Sequence, residues 1–423
     1  MLRKIENLLI LLFLFLLPWQ TRYIWQYGQI NSGYWEYGTF SIYATEILLW
    51  GILILFFIQH FVKKEFWISL KQKPPRGFLM VLLLSLALSV ALSSNFWISY
   101  NYIFHILEAM ALMTVLVRQN EKIKLQIALW AGAVVQGALA IWQFLTQHVW
   151  ASKWLGMASQ EAQNLGPSVI EFADQRWLRA YGSFGSPNSL GIYLAILFVL
   201  GLVLYLKADS AKKKIIISAG QLLILSGLLV SFSRGAWLAA VAGALCLLVL
   251  IFFKQRQWLQ SFGKQIGFAL AVIVFWLVIF YPVFNARFNF GNRLEVKSIS
   301  ERKGQYAEAI SFIKSNPILG VGPGAYTDAL YKKYPTLQSW EYQLIHNIYL
   351  LALVEIGSAG ALLLFFLLKQ LFSLILKNNL LYTSVVIALA LAGLFDHWLW
   401  SMYTGLIFFW VIIGALVLTK QAD

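Results

Sequence analysis

Apolar runs about twenty residues long recur from one end of the chain to the other, and they leave few folds open. A helix needs roughly 20 apolar residues to cross the hydrocarbon core of a bilayer. The 423-residue sequence is 60% hydrophobic and 12% charged, with a mean hydropathy of +0.70, and it supplies such runs repeatedly. A soluble domain cannot bury that much apolar side chain. A membrane β-barrel would alternate polar and apolar residues over ~10-residue segments, whereas these runs are continuous. The fold class is therefore all-α, a polytopic integral membrane protein. The 18 Trp and 19 Tyr suit aromatic belts at the two interfaces.

Twelve spans are expected, near 5–22, 41–62, 77–93, 98–117, 125–146, 188–206, 215–232, 236–253, 266–284, 346–367, 380–396 and 402–419. The first follows a basic start, as in a signal peptide. It has no small-residue cleavage site, so it is read as a retained span. With the N-terminus cytoplasmic, the Lys/Arg-rich segments KKEFWISLKQKPPRG, RQNEKIK, KADSAKKK and KQRQWLQSFGKQ all fall inside, as basic loops do. The C-terminus is then cytoplasmic too. The net charge of +15 reads as topology plus attraction to anionic lipid or phosphate, with no nucleic acid as partner. The lone Cys246 permits no intrachain disulfide. The chain is read as one membrane domain, 1–423, with extracytoplasmic loops at 147–187 and 285–345. The larger lies between spans 9 and 10, and both are too long to be mere connectors.

The larger loop has local order. SISERKGQYAEAISFIKSNP reads as a short amphipathic helix, with Ser298 and Glu301 as a capping box and Asn316-Pro317 as its stop. At about 100° per residue, Arg302, Tyr306, Ala309 and Ile313 share one stripe, which should press on the membrane domain. A guanidinium on that stripe either meets an anion or snorkels at the interface. The following PILGVGPGAY is read as a structural turn that includes Gly322. It is no phosphate-cradling loop, because no Lys-Ser/Thr follows and Pro323 removes a donor.

His346 stands where this loop re-enters the membrane, followed by Asn347. On a continuous helix Gly357 and Gly360 would lie on the His346 face, within roughly 40°, and admit a neighbouring helix. Glu355 would lie opposite and about 13–14 Å deeper, too far to partner His346. Arg234 sits at the tip of a tight hairpin of spans, as interface anchor or anion site. Arg176 and Arg179 precede a Gly/Ser/Pro turn in which Asn188 or Ser189 should cap the next span. Arg287 and Arg293 fall on the same outer side. Cations beside a titratable base suit a lipid-linked phosphate and a hydroxyl to be activated. His105 and Glu108, three apart, are expected to pair. Glu46, Asp396 and His397 sit near span ends and are read first as structural. No His/Cys/Asp cluster has metal-ligand spacing, so neither metal nor cofactor is expected.

Three segments in order, SFSRGAWLA, ERKGQYAEAISFIKSNPILGVGPGAY and HNIYLLALVEIGSAG, resemble the O-antigen ligase and O-antigen polymerase superfamily of bacterial glycan transferases. GSFGSPNSLGIYLA resembles the family segment before an earlier span. The resemblance covers residues 176–410 and includes the His-Asn-x9-Gly-x-x-Gly pattern in full. It implies a metal-independent glycosyltransferase that moves a glycan from undecaprenyl pyrophosphate to an acceptor hydroxyl, on lipid A-core or a similar acceptor, in lipopolysaccharide or other surface polysaccharide biosynthesis. It further implies His346 as the catalytic base or positioning group. Arg234 and Arg302, with Arg179, would bind the donor pyrophosphate, and Asn347, Gly357, Gly360 and Gly322 would give structural support. The partners implied are the undecaprenyl-pyrophosphate-linked glycan, an acceptor glycan or glycolipid, and the bilayer. The location implied is the bacterial cytoplasmic (inner) membrane, with the site facing the periplasm or exterior. Polymerase and protein O-oligosaccharyltransferase branches share these motifs. A transporter or flippase of lipid-linked oligosaccharide, the rival of another class, would show repeats and midplane-broken helices, and the sequence has no internal repeat.

Overall fold

The computed structural model describes residues 2–61, 84–85, 87–172, 175–289 and 291–417. The expected span at 77–93 and the basic segment before it fall largely outside those residues. Among the described residues, seven helices are long and apolar enough to cross a membrane, and three shorter apolar ones accompany them. In chain order the first eight helices are α1 (Leu2–Leu16), α2 (Ala44–Phe61), α3 (Phe96–Val117), α4 (Lys122–Thr146), α5 (Pro187–Lys207), α6 (Ala211–Val230), α7 (Arg234–Lys254) and α8 (Leu259–Ile279). After α8 come α9 (Tyr281–Phe288), α10 (Arg293–Ser315) and α11 (Tyr326–Lys333), then α12 (Ile348–Asn378), α13 (Thr383–Ala392), α14 (Trp398–Ser401) and α15 (Tyr403–Leu416).

The centre of the bundle is α5. It is apolar on every side, and its 18-residue apolar window is wholly buried, as such a sequence requires. It packs against α4, α6, α7 and α13. Ser186 caps it, accepting from the Ser189 N–H at 3.1 Å, with Pro187 in the first turn. The cap is thus two or three residues earlier than Asn188 or Ser189, because proline fits the first helical position, where its missing N–H costs nothing.

Among the described residues, one end of the bundle carries the longest irregular segments. Four two-stranded antiparallel sheets lie there, β1 (Arg22–Gln26) with β4 (Phe40–Tyr43), β2 (Gln29–Ile30) with β3 (Gly33–Tyr34), β5 (His148–Val149) with β6 (Gln160–Glu161), and β7 (Val169–Phe172) with β8 (Gln175–Leu178). The all-α description therefore holds for the apolar helices, and the loops at this end add small hairpins. Side chains and backbone tie these loops to helix ends: Ser183 Oγ donates to Pro18 O at 2.7 Å, and Ala180 N to Val230 O at 3.0 Å.

The loop between α8 and α12 is mostly helical. Its main helix, α10, begins at Arg293, five residues before the expected capping box at Ser298, and ends at Asn316. Ala309 and Phe312 are buried, with Tyr306 and Ile313 packed beside them, so the predicted stripe does face the membrane domain.

The helix after His346 differs from the expected one in a way that matters. It starts at Ile348, so His346 lies before it, and it breaks at Gly357, which has φ 61° and ψ −175°. The glycine turn 317–322 fills the break. Val321 and Gly322 N–H donate to the Val354 and Glu355 carbonyls, both at 2.9 Å. In return, Ser358 N–H donates to Pro317 O at 2.9 Å and Ala359 N–H to Ile318 O at 3.2 Å. The rotation counted from His346 through Gly357 to Gly360 therefore does not apply, and what approaches Gly357 is main chain, not a neighbouring helix. Gly360 packs on its own Ile356 across the kink. Glu355 accepts from Gly324 N at 3.0 Å and Trp400 Nε1 at 2.7 Å, which fixes the turn from the other side.

Gly357→Ala should therefore be costly, since its Cβ would meet the Ile318 carbonyl and its φ excludes L-residues. A loss of about 1–3 kcal/mol is expected, seen as a lowered Tm in detergent. Gly263→Ala, where a Cβ meets nothing within 4 Å, should leave Tm unchanged or slightly raised.

Candidate functional site

Two cavities open at the loop-bearing end and share a wall. The first, about 550 Å³, is lined by His346, Asp396, His397, Arg22, Glu36 and Tyr37 among others. The second, about 350 Å³, is lined by Arg179, Arg234, Arg287, Arg302, Glu295 and Lys297 among others. Ser168, Asn188 and Asp396 line both. The three arginines singled out from the sequence thus meet in one cleft, next to the histidine. Arg176 and Arg293 line a different surface cavity, with Arg293 paired to Glu171 at 2.7 Å.

The cationic cleft is built by local sequence. Arg234 opens α7 directly after a three-residue connection, so its side chain starts at the mouth of the bundle. Its Nη2 donates to Glu295 Oε2 at 2.5 Å, and Arg287 donates to the other oxygen of the same carboxylate. Arg179 follows β8 and is held by neutral acceptors, Ser231 O at 2.9 Å and Asn188 Oδ1 at 2.8 Å. Burial, reinforced by the Arg287 charge, pulls the Arg179 guanidinium down to about 9. Burial also lowers Arg287, although Glu295 works against it. Arg302 makes no ion pair or hydrogen bond among the described residues. Cations outnumber anions along this wall, five to three (Glu295, Glu301 and Asp396). Partly desolvated guanidiniums with too few carboxylates favour a bound anion.

His346 is held from three sides. Its backbone N–H donates to Gln305 Oε1 of α10 at 3.2 Å. Its Nδ1 lies 3.4 Å from Asp396 Oδ2, and the His397 ring stacks obliquely at 5.1 Å between centroids. Asn347 caps α12, accepting from Tyr349 N at 3.0 Å and Leu350 N at 3.1 Å, so it fixes the chain just after the histidine. Gly322, at φ 109°, lies in the turn that fills the α12 break and packs on Ser93.

Asp396 and His397 are the residues that sequence reasoning underrated. The alternating topology already set the outer end of span 11 on the His346 side, and the Asp-His pair there was the available signal. Burial would raise the Asp396 carboxyl, but the His397 and His346 imidazoles, with the Trp398 N–H at 2.9 Å, hold it well below the usual carboxylate range. His346, Asp396 and His397 each offer a ligand atom within 4.8 Å of the others, so these three side chains could hold a metal ion despite lacking ligand spacing in sequence.

Burial lowers His397 to about 4, with Asp396 opposing it. The folded state thus binds fewer protons there than the unfolded chain, whose imidazole titrates near ~6.5. The stability this supplies is present above that value and is lost as pH falls towards about 4. Thermal unfolding between pH 4 and pH 7 should show this slope, and His397→Gln should flatten it.

Residues 219–365 match the family model described as O-antigen ligase. The match is shorter than the 176–410 resemblance and takes in Arg234, Arg287, Arg302 and His346, stopping before Asp396. No curated protein matches the chain. The matched segment, which carries most of the arginine cleft and the adjoining histidine, is thus similar to the O-antigen ligase family.

Proposed function

We propose that this protein is a glycosyltransferase of surface polysaccharide assembly that moves a glycan from undecaprenyl pyrophosphate to an acceptor hydroxyl. The observation that carries the reading is the shared wall. A cavity rich in buried and half-buried guanidiniums abuts, through Asp396 and Asn188, a cavity holding a histidine. That arrangement suits a pyrophosphate on one side and a hydroxyl on the other.

In the proposed reaction His346 takes the proton of the acceptor hydroxyl. Asp396, facing Nδ1, favours the tautomer that leaves Nε2 as the base. The acceptor oxygen bonds to the anomeric carbon as the bond to the pyrophosphate oxygen breaks. Undecaprenyl pyrophosphate departs with the electron pair, and attack opposite it inverts the anomeric centre. Arg179, Arg234 and Arg302 neutralise the charge that develops on the leaving group. Pyrophosphate is already a good leaving group, so no divalent cation is assigned to this step. The site faces the exterior of a bacterial cytoplasmic membrane. The acceptor is lipid A-core or a similar glycolipid in the ligase reading, the next lipid-linked repeat in a polymerase, and a protein hydroxyl in an oligosaccharyltransferase.

The test uses the protein in nanodiscs with undecaprenyl-pyrophosphate glycan and each acceptor, following released undecaprenyl pyrophosphate and product. His346→Ala should fold normally and lose transfer by about 10²-fold or more, the usual contribution of a positioned base. Turnover like wild type would remove His346 from the mechanism. Arg302→Lys should weaken donor binding by roughly tenfold, because an ammonium cannot replace a planar guanidinium fork. Added Mg2+ or Mn2+ should leave the rate unchanged; a cation-dependent rate would assign a metal to His346, Asp396 and His397. Donor binding without release on any acceptor would favour the transporter reading.

A further inference from the structure

A second buried group of ionisable side chains takes no part in the transfer proposed above. Glu46 lies in the first turn of α2, and His105 and Glu108 lie on α3, exposed by 6%, 9% and 3%. One ligand atom from each lies within 4.8 Å of the others. His105 Nδ1 sits 2.9 Å from Glu108 Oε2, Trp50 Nε1 donates to Glu108 Oε1 at 2.5 Å, and Tyr43 N–H donates to Glu46 Oε2 at 3.2 Å. The only ion pair either carboxylate makes among the described residues is the one to His105.

Two hydroxyls beside the group are buried without a hydrogen bond of acceptable geometry, Tyr403 Oη and Thr45 Oγ1. Tyr403 is 7% exposed, its ring meets His105 edge-on at 5.0 Å, and the charges of both Glu46 and Glu108 act on its hydroxyl. The Thr45 side chain lies beside the Tyr403 hydroxyl, but the bond between them has poor geometry, so both hydroxyls can turn towards a further partner.

The ligand types decide what the group would hold. Two carboxylates and one imidazole converge inside the bundle, a set that a divalent cation can bridge. An imidazole nitrogen with carboxylate oxygens is a donor set for zinc-like ions, whereas magnesium and calcium take oxygen alone. We propose that Glu46, His105 and Glu108, with the Tyr403 hydroxyl beside them, bind a divalent transition-metal ion of the zinc class that ties α2, α3 and α15 together. The site is separate from the His346 group and does not depend on the glycan-transfer reading.

The test uses the full chain in detergent, stripped with a chelator and dialysed against Zn2+, with bound metal and Tm measured. Wild type should retain one Zn2+ per chain and gain thermal stability. Glu46→Gln and Glu108→Gln should each weaken retention at least ~10-fold, the loss that follows even when an outer-shell partner of a metal site is removed. His397→Gln should keep the metal. X-ray absorption on the wild type provides a readout that needs no variant, with one imidazole and otherwise oxygen around zinc. No stoichiometric zinc in wild type would overturn the proposal. So would two imidazoles at the metal, which would assign it to His346 and His397, or Glu→Gln variants that bind like wild type.

Discussion

The exchange of main-chain hydrogen bonds at the Gly357 break governs the loop-bearing half of this molecule. A helix interrupted inside an apolar bundle leaves donors and acceptors with no water to satisfy them. Here the turn at 317–322 supplies the partners, and it can do so only because positive-φ glycines on both sides let backbone meet backbone. The loop that carries α10 is thereby anchored to the helix that follows His346. Glu355, buried and without an ion pair among the described residues, completes the anchor through Gly324 and Trp400.

Around that anchor the charges are arranged with deliberate imbalance. One carboxylate, Glu295, serves both Arg234 and Arg287, while Arg179 is held by a carbonyl and an amide oxygen. Neutral acceptors orient a guanidinium without quenching it. The cleft is thus organised before any ligand arrives yet remains short of negative charge, which is what preorganised recognition of an anion requires.

Much of this was legible in the sequence, and the misses have physical causes. Arg234, Arg302 and Arg179 were chosen from hairpin tips and a helical stripe, and they do line one cleft. Residue types and topology sufficed for that. The wheel drawn from His346 failed because a helical period cannot be extended across a glycine with φ 61°. The start of α10 was misjudged because Ser298 and Glu301 mimic a cap within a helix already running from Arg293. Asp396 and His397 were passed over because their value comes from a contact across the fold, with His346 fifty residues away. The hairpins at 22–43 and 148–178 carry no long alternating pattern and are held by their neighbours.

The contact from Gln305 to the His346 backbone has a further consequence. Gln305 and Arg302 are three residues apart, on one turn of α10. The cation of one cavity and the tether of the base in the other are therefore marked off by the same rigid element, a rise of about 4.5 Å along the axis. The helix acts as a ruler between the two chambers. Their spacing is set by the pitch of a backbone and not by the path of the loops that roof them.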